Sequence, residues 1–404
     1  MSAICLVIDR LHSGYLGAYG NSWIETPAFD RLAWQSFVFD QVLLDSPCLD
    51  RLYRSYWRGW HAMCRGGPPD GQPAVAAMAS KAGTRTVLLT DEPIVARHPL
   101  AEEFDELVEI DPPWQPQTAG EIEETHLARC FAQLISWLES AEGPFLLWCH
   151  LGGLGTAWDA PAVFRRTYWE EGDPNPPEDA EAPDRMLPDQ YDPDELLGIT
   201  QSYAGQVTLL DACLGALLEF LDGSRAGRES LLTLTSSRGF PLGEHNRVGT
   251  CDEAVYGELV HVPLMIRFPG GSGAGGRSHS LVEPSDLWAT LLEYWNVKSP
   301  PSPTALSLLP VVRGEISTLR DRLCVEGQGG ERAIRTPAWY LRVRDKPELF
   351  AKPDDRWEIN DVADRCHEVV ECLGDVMAQY EQALQAGTVA DLPPLNEVLL
   401  SGLA

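Results

Sequence analysis

The 404-residue chain is short of positive charge: 31 lysines and arginines face 60 aspartates and glutamates, a formal charge of −29. A field of that sign repels phosphate backbones and anionic lipid heads, which argues against nucleic acid and membrane surfaces as partners. Paired cysteines are lacking too. Cys5, Cys48, Cys64, Cys130, Cys149, Cys213, Cys251, Cys324, Cys366 and Cys372 form no CxxC pair and no tight framework. Reduced, buried thiols are expected, not disulfides or a zinc site. The N-terminal MSAICLVIDR has no basic region leading into a cleavable apolar stretch, and no apolar run reads as long enough to span a bilayer. A cytoplasmic location is the expectation.

With 44% hydrophobic and 23% charged residues, the composition is that of an ordinary globular protein. The length suits one large α/β domain, 1–315, and a small C-terminal α+β subdomain, 316–404. Ile4 to Ile8 is an apolar run ending at Asp9, as in a buried central strand that feeds a loop. Further strands are predicted over 86–89, 144–150, 230–235 and 262–268, and helices over 73–82, 122–139, 196–221 and 284–294. This alternation predicts a mostly parallel sheet covered on both faces, with ligands collecting at the carboxyl ends of its strands. Residues 162–193, rich in Pro, Asp and Glu, read as a long surface excursion. Beyond 320, short strands at 323–325 and 338–343 precede a helix over 363–385.

Asp9 to Gly20 (DRLHSGYLGAYG) and Thr26 to Ala33 (TPAFDRLA), in that order, resemble the opening DDLRxDxLGxYG and the TPNLDRLA of the sulfatase family. Tyr203 to Leu221 is similar to the family's YxAxVxxxDxxxGxLLxxL helix, Tyr256 to Gly270 to its YEExxxVPLxIRxPG, and 285–292 to its DLxPTLL helix. The resemblance implies an alkaline-phosphatase-like fold. It also implies sulfate-ester hydrolysis by a formylglycine made from a CxPxR motif, with a calcium ion held by Asp, Asn and His side chains.

Carried over position by position, most of that site is substituted. Asp9 matches the first metal carboxylate, but the second falls on Arg10. The SDHG motif reads Ser236-Ser237-Arg238-Gly239, Thr250 stands at a lysine position, and Asp91 stands where the GK lysine belongs. The nucleophile position falls on Leu49, with Cys48 one residue early and Arg51 out of spacing. His150 opens what remains of an HxxDPH motif, and His245 closes an intact LGEH. One carboxylate cannot hold an ion that takes six to eight oxygens, so no cofactor is expected; calcium would be the ion if the site functioned.

The candidate site residues are therefore Cys48 and Arg51 for catalysis, Arg10, Asp91, Ser237, Arg238 and His245 for a ligand pocket, and Asp9 as a vestigial metal ligand. Arg10 and Arg238 either pair with Asp9 and Asp91 or take an anion bidentately. His61 and His98 have no located partner in the sequence, and a core or surface role is the plainer reading. The aromatic and arginine residues of Tyr53 to Trp60 are expected to pack ring on guanidinium. The resulting expectation is a non-catalytic sulfatase relative that binds a sulfate or phosphate ester, a second copy or a paralogous sulfatase. The alternatives are an active sulfuric ester hydrolase with an atypical site and a structural subunit of an active paralogue.

Overall fold

The computed structural model describes residues 1–67, 72–250 and 254–402, so Cys251 lies outside the described residues. Its strands are β1 (Ser2–Ile8), β2 (Phe37–Leu43), β3 (Arg85–Thr90), β4 (Glu106–Glu109), β5 (Phe145–Leu151), β6 (Asp184–Met186), β7 (Ser230–Thr235), β8 (Arg247–Gly249), β9 (His261–Arg267), β10 (Arg277–Val282), β11 (Leu323–Glu326), β12 (Arg332–Arg335), β13 (Trp339–Val343) and β14 (Pro347–Ala351). The main sheet runs β10-β2-β9-β7-β1-β5-β3-β4. Its neighbours are parallel except where β9 pairs with β2 and β7.

Strand β1 shows why the sheet is buried on both sides. Ala3, Cys5 and Val7 enter one apolar cluster, while Ile4, Leu6 and Ile8 enter the other. A strand apolar at every position has helices on both faces. The helices Leu49–Arg58, Val75–Lys81 and Pro284–Tyr294 cover one face. Pro27–Gln35, His126–Glu139 and Pro193–Gly223 cover the other.

Two expectations need correction. The 31-residue helix Pro193–Gly223 is long and apolar enough to cross a bilayer, contrary to the sequence reading. It is instead a core helix, because Tyr203, Val207, Leu210, Leu214 and Leu218 are buried against the sheet. Among the described residues no guanidinium lies over the aromatics of 53–60. Tyr53, Tyr56 and Trp57, spaced to share one helix face, stack edge-on and tilted against Trp148. Arg51 and Arg58 leave that face for Glu326 and Glu103. The helix ends at Gly59, whose φ of +61° closes the last turn, and a Cβ there would lie 2.4 Å from Trp288.

The strands β11 to β14 form an antiparallel sheet with the helix His367–Ala386 packed in its own apolar cluster. Arg320 clamps this C-terminal part to the helix Pro284–Tyr294, donating to both oxygens of buried Asp286 at 2.5 and 2.6 Å. The excursion 162–193 is not loose. Buried Arg165 donates to the carbonyls of Ala160, Pro177 and Asp179, and β6 pairs antiparallel with β8.

Asp211, the aspartate of the YxAxVxxxDxxxGxLLxxL-like helix, gives two sequence motifs one physical purpose. Its carboxylate accepts from the backbone N–H groups of Ala28 and Phe29 at 2.9 to 3.1 Å, capping the TPAFDRLA helix across the chain. Asp211→Ala strands those donors in a buried place and is expected to cost about 2 kcal/mol, read as a lowered urea midpoint at unchanged slope.

Candidate functional site

The carboxyl ends of β1, β7, β5 and β3 bring Asp9, Ser237, Arg238, His150 and Asp91 together at the middle of the sheet. Asp9 is 2% exposed. Its Oδ1 accepts from Ser237 Oγ at 2.7 Å and from Arg238 Nε at 3.0 Å, and its Oδ2 accepts from Arg238 Nη2. Arg10 Nε lies 3.7 Å from the same Oδ2. Burial pushes the Asp9 carboxyl up, and the Arg238 and Arg10 charges overcome it, holding it well below the usual carboxylate range.

Arg10 adopts a left-handed backbone, φ +64°. Tyr203 holds it there: its hydroxyl donates to the Arg10 carbonyl at 2.8 Å and accepts from His12 N–H at 3.1 Å. The Arg10 guanidinium reaches the Thr250 carbonyl at 3.5 Å, and Thr250 N–H in turn donates to Pro183. The long excursion therefore backs the loop that touches Arg10, closing that side.

Of the two expected pairings, the one with Asp9 is present and the one with Asp91 is not. Asp91 instead meets His126 Nε2 at 2.6 Å and accepts from Gly152 N–H at 2.6 Å. His126 precedes Cys130 by one helical turn, so its imidazole also reaches the Cys130 thiol at 3.5 Å. His150 shares a 2.5 Å hydrogen bond between Nδ1 and the Tyr53 hydroxyl, while its buried Nε2 has no partner. Burial pushes His150 down to about 4 against the pull of Asp9 and Asp91, so it is neutral at physiological pH.

Two predicted residues, Arg51 and His245, are bonded elsewhere. Arg51 pairs with Glu326 of β11 at 2.5 Å, because it leaves its helix on the side away from the aromatic stack. Cys48 sits at the N-terminus of that helix, and the next residue, Leu49, is packed in the apolar core. Hydrocarbon thus occupies the aligned nucleophile position. His245 stacks on Tyr256, with centroids 3.5 Å apart, and bonds Glu258 and the Glu358 carbonyl. Burial opposes its charge, and Glu258 outweighs burial to raise its pKa. Sequence reasoning missed His126, whose one signal was its spacing of four from Cys130 at a helix start.

These residues do not fit calcium. A hard cation wants six to eight oxygens, but the lone pairs of Asp9 are taken by a guanidinium and a hydroxyl, with Arg10 beside them. Asp91, His126 and Cys130 do place three ligand atoms within 4.8 Å of one another. That set offers one oxygen, one nitrogen and one sulfur, and its 2.6 Å contact is a hydrogen-bond distance.

A family model for sulfatases matches residues 3–297. The chain belongs to the sulfatase family. It is similar to the multifunctional alkaline phosphatase superfamily protein PehA of Trinickia caryophylli, 29% identical over 137 residues, which are 33% of this chain and 26% of that protein. Iduronate 2-sulfatase of Homo sapiens is 22% identical over 362 residues, 72% of this chain and 65% of that protein. The chain therefore spans less than two thirds of the length of these curated relatives. Phosphonate monoester hydrolase of Agrobacterium radiobacter superposes with a TM-score of 0.76 at 18% identity over 96% of each chain.

The Asp9 pair has a measurable pH signature. A carboxyl depressed in the folded state contributes stability that is present above its unfolded value near 3.9 and lost as pH falls through the folded value. Asp9→Asn is expected to cost about 3 kcal/mol or more at pH 7, because breaking a buried pair leaves charge behind. The gap between the wild type and Asp9→Asn should shrink below about pH 4, as followed by chemical denaturation across pH.

Proposed function

We propose that this sulfatase-family chain does not hydrolyse sulfate esters and acts by binding an anionic, sulfated or phosphorylated, ligand or a partner. The observation that carries this reading is the Arg238 guanidinium seated on both oxygens of Asp9, where the resemblance would have a metal. In the family, calcium neutralises the sulfate and a formylglycine attacks it. Here the counter-charge is tethered to the protein, and Leu49 offers no nucleophile.

The kinship with hydrolases favours one second reading, an active ester hydrolase with an atypical site. It needs a nucleophile near Asp9. Ser237 is adjacent, yet its hydroxyl proton is given to the carboxylate that Arg238 already holds. A base there is weakened by two guanidinium groups, so activation of Ser237 is poor.

One purified sample decides between these readings. Its metal content is measured, then its turnover of an aryl sulfate and of a phosphonate monoester with calcium added. The expected result is less than one tenth of an equivalent of calcium and turnover at the buffer rate. Stoichiometric calcium with turnover abolished by Asp9→Asn would replace the binding reading with the hydrolase.

A further inference from the structure

A groove of about 1170 Å³ runs between the β10 edge of the main sheet and the C-terminal subdomain, and neither Asp9 nor Arg238 lines it. Its walls carry Arg277, Arg313, Arg320, Arg335 and Arg356 against a single carboxylate, Asp40. In a chain with about twice as many acidic as basic side chains, that lining reverses the sign of the whole.

Pairing distinguishes these arginines. Arg277 meets Asp40, Arg313 meets Glu293, and Arg320 meets Asp286. Arg335 is 4% exposed and donates to the Thr336, Pro337 and Trp339 carbonyls and to Gln41 Oε1 at 3.1 Å. Among the described residues no carboxylate lies within ion-pair distance of it, and Glu358, the acid that acts on it from farther away, is held by Lys352 at 2.8 Å. Exposed Arg356 lies over the Trp357 ring and likewise has no carboxylate partner among the described residues.

A cavity of about 60 Å³ adjoins the groove at Arg335 and Arg356, which line both, and is also lined by His12, Lys352 and two carboxylates, Glu258 and Glu358. That is room for roughly four water-sized probes, or one tetrahedral oxyanion. His12 gives this cavity a donor. Its Nδ1 accepts from Gly14 N–H at 2.7 Å, which places the proton of the neutral ring on Nε2. That Nε2 is buried with no partner. A buried guanidinium with no carboxylate at ion-pair distance and a buried donor without an acceptor, on residues lining one small cavity whose three cations outnumber its two carboxylates, both call for an anion.

We propose that this groove binds a small ligand bearing two or more sulfate or phosphate ester groups. One ester seats in the small cavity against Arg335, Arg356 and His12 Nε2, and the others lie toward Arg277 and Arg320. The site needs no metal and does not rest on the loss of hydrolysis. A nucleic acid strand is disfavoured, because it would continue past the groove over acidic surface.

The test is calorimetric titration of the full chain with a disulfated disaccharide, a bisphosphorylated sugar and single-stranded DNA. Wild type should bind one or both sugars, and the sugar that binds identifies the ester. Arg356→Ala and Arg277→Ala, both at exposed positions, should each weaken it about tenfold, and Arg356→Lys should recover part of the loss. Arg335→Gln serves only as a supporting variant, checked for folding. The proposal is overturned if neither sugar binds, if binding survives Arg356→Ala together with Arg277→Ala, or if DNA binds as well as the sugars. It is also overturned if Arg238→Ala abolishes binding while the groove variants do not, which would put the ligand at the closed site.

Discussion

A carboxylate at the end of a fully buried central strand has to be neutralised, and the middle of this structure is organised around how Asp9 is. Its strand is apolar on both faces, and its side chain projects where β1, β5 and β7 all end. A metal ion would meet that demand in the family. Arg238 meets it here with a two-pronged contact, helped by Ser237 and Arg10. The positive φ of Arg10, the Tyr203 hydroxyl that fixes it, and the excursion behind Thr250 all serve to keep that arrangement closed.

One part of the arginine groove reaches this end of the sheet because β9 runs against its neighbours, while Arg277 lies beside Val38 at the other end. The first residue of β9, His261, pairs with Leu43 at the end of β2, beyond the level at which Thr235 of β7 meets Leu264. The loops after β1 and β2 and the start of β9 therefore emerge together, and the C-terminal subdomain is laid over them through Arg320 and Arg335. Closing the centre and opening a flank are compatible results of one topology.

Much of the fold was legible because it is written in local chemistry. The strand 230–235 and the helix 284–294 have the bounds read from their apolar runs and breakers. Strand β2 was passed over because Asp40 and Gln41 interrupt its apolar pattern, at the place where the register with β9 shifts. Strand β10, RSHSLV, reads as polar because it is an edge strand that pairs on one side only. At the site, motif order located Asp9, Ser237 and Arg238, and their pairing is one of the two arrangements their charges allowed. The sequence could not tell that Asp91 would turn to His126, since partner choice among buried charges depends on distances of a few ångströms between segments far apart in the chain. Arg51 and His245 were placed by proximity to motifs, and their side chains leave toward Glu326 and Glu258 instead. His12 was invisible for the opposite reason, since it lies inside a recognised motif at a position with no chemical expectation.

The pairing of Asp9 with an arginine of its own chain also changes what the fold depends on. An ion held from solution stabilises by mass action, so its contribution rises and falls with the concentration outside. A guanidinium on a neighbouring strand end is present at fixed, intramolecular concentration. The charge of Asp9 is thereby balanced from within the chain, at a strength that the ion concentration outside does not set.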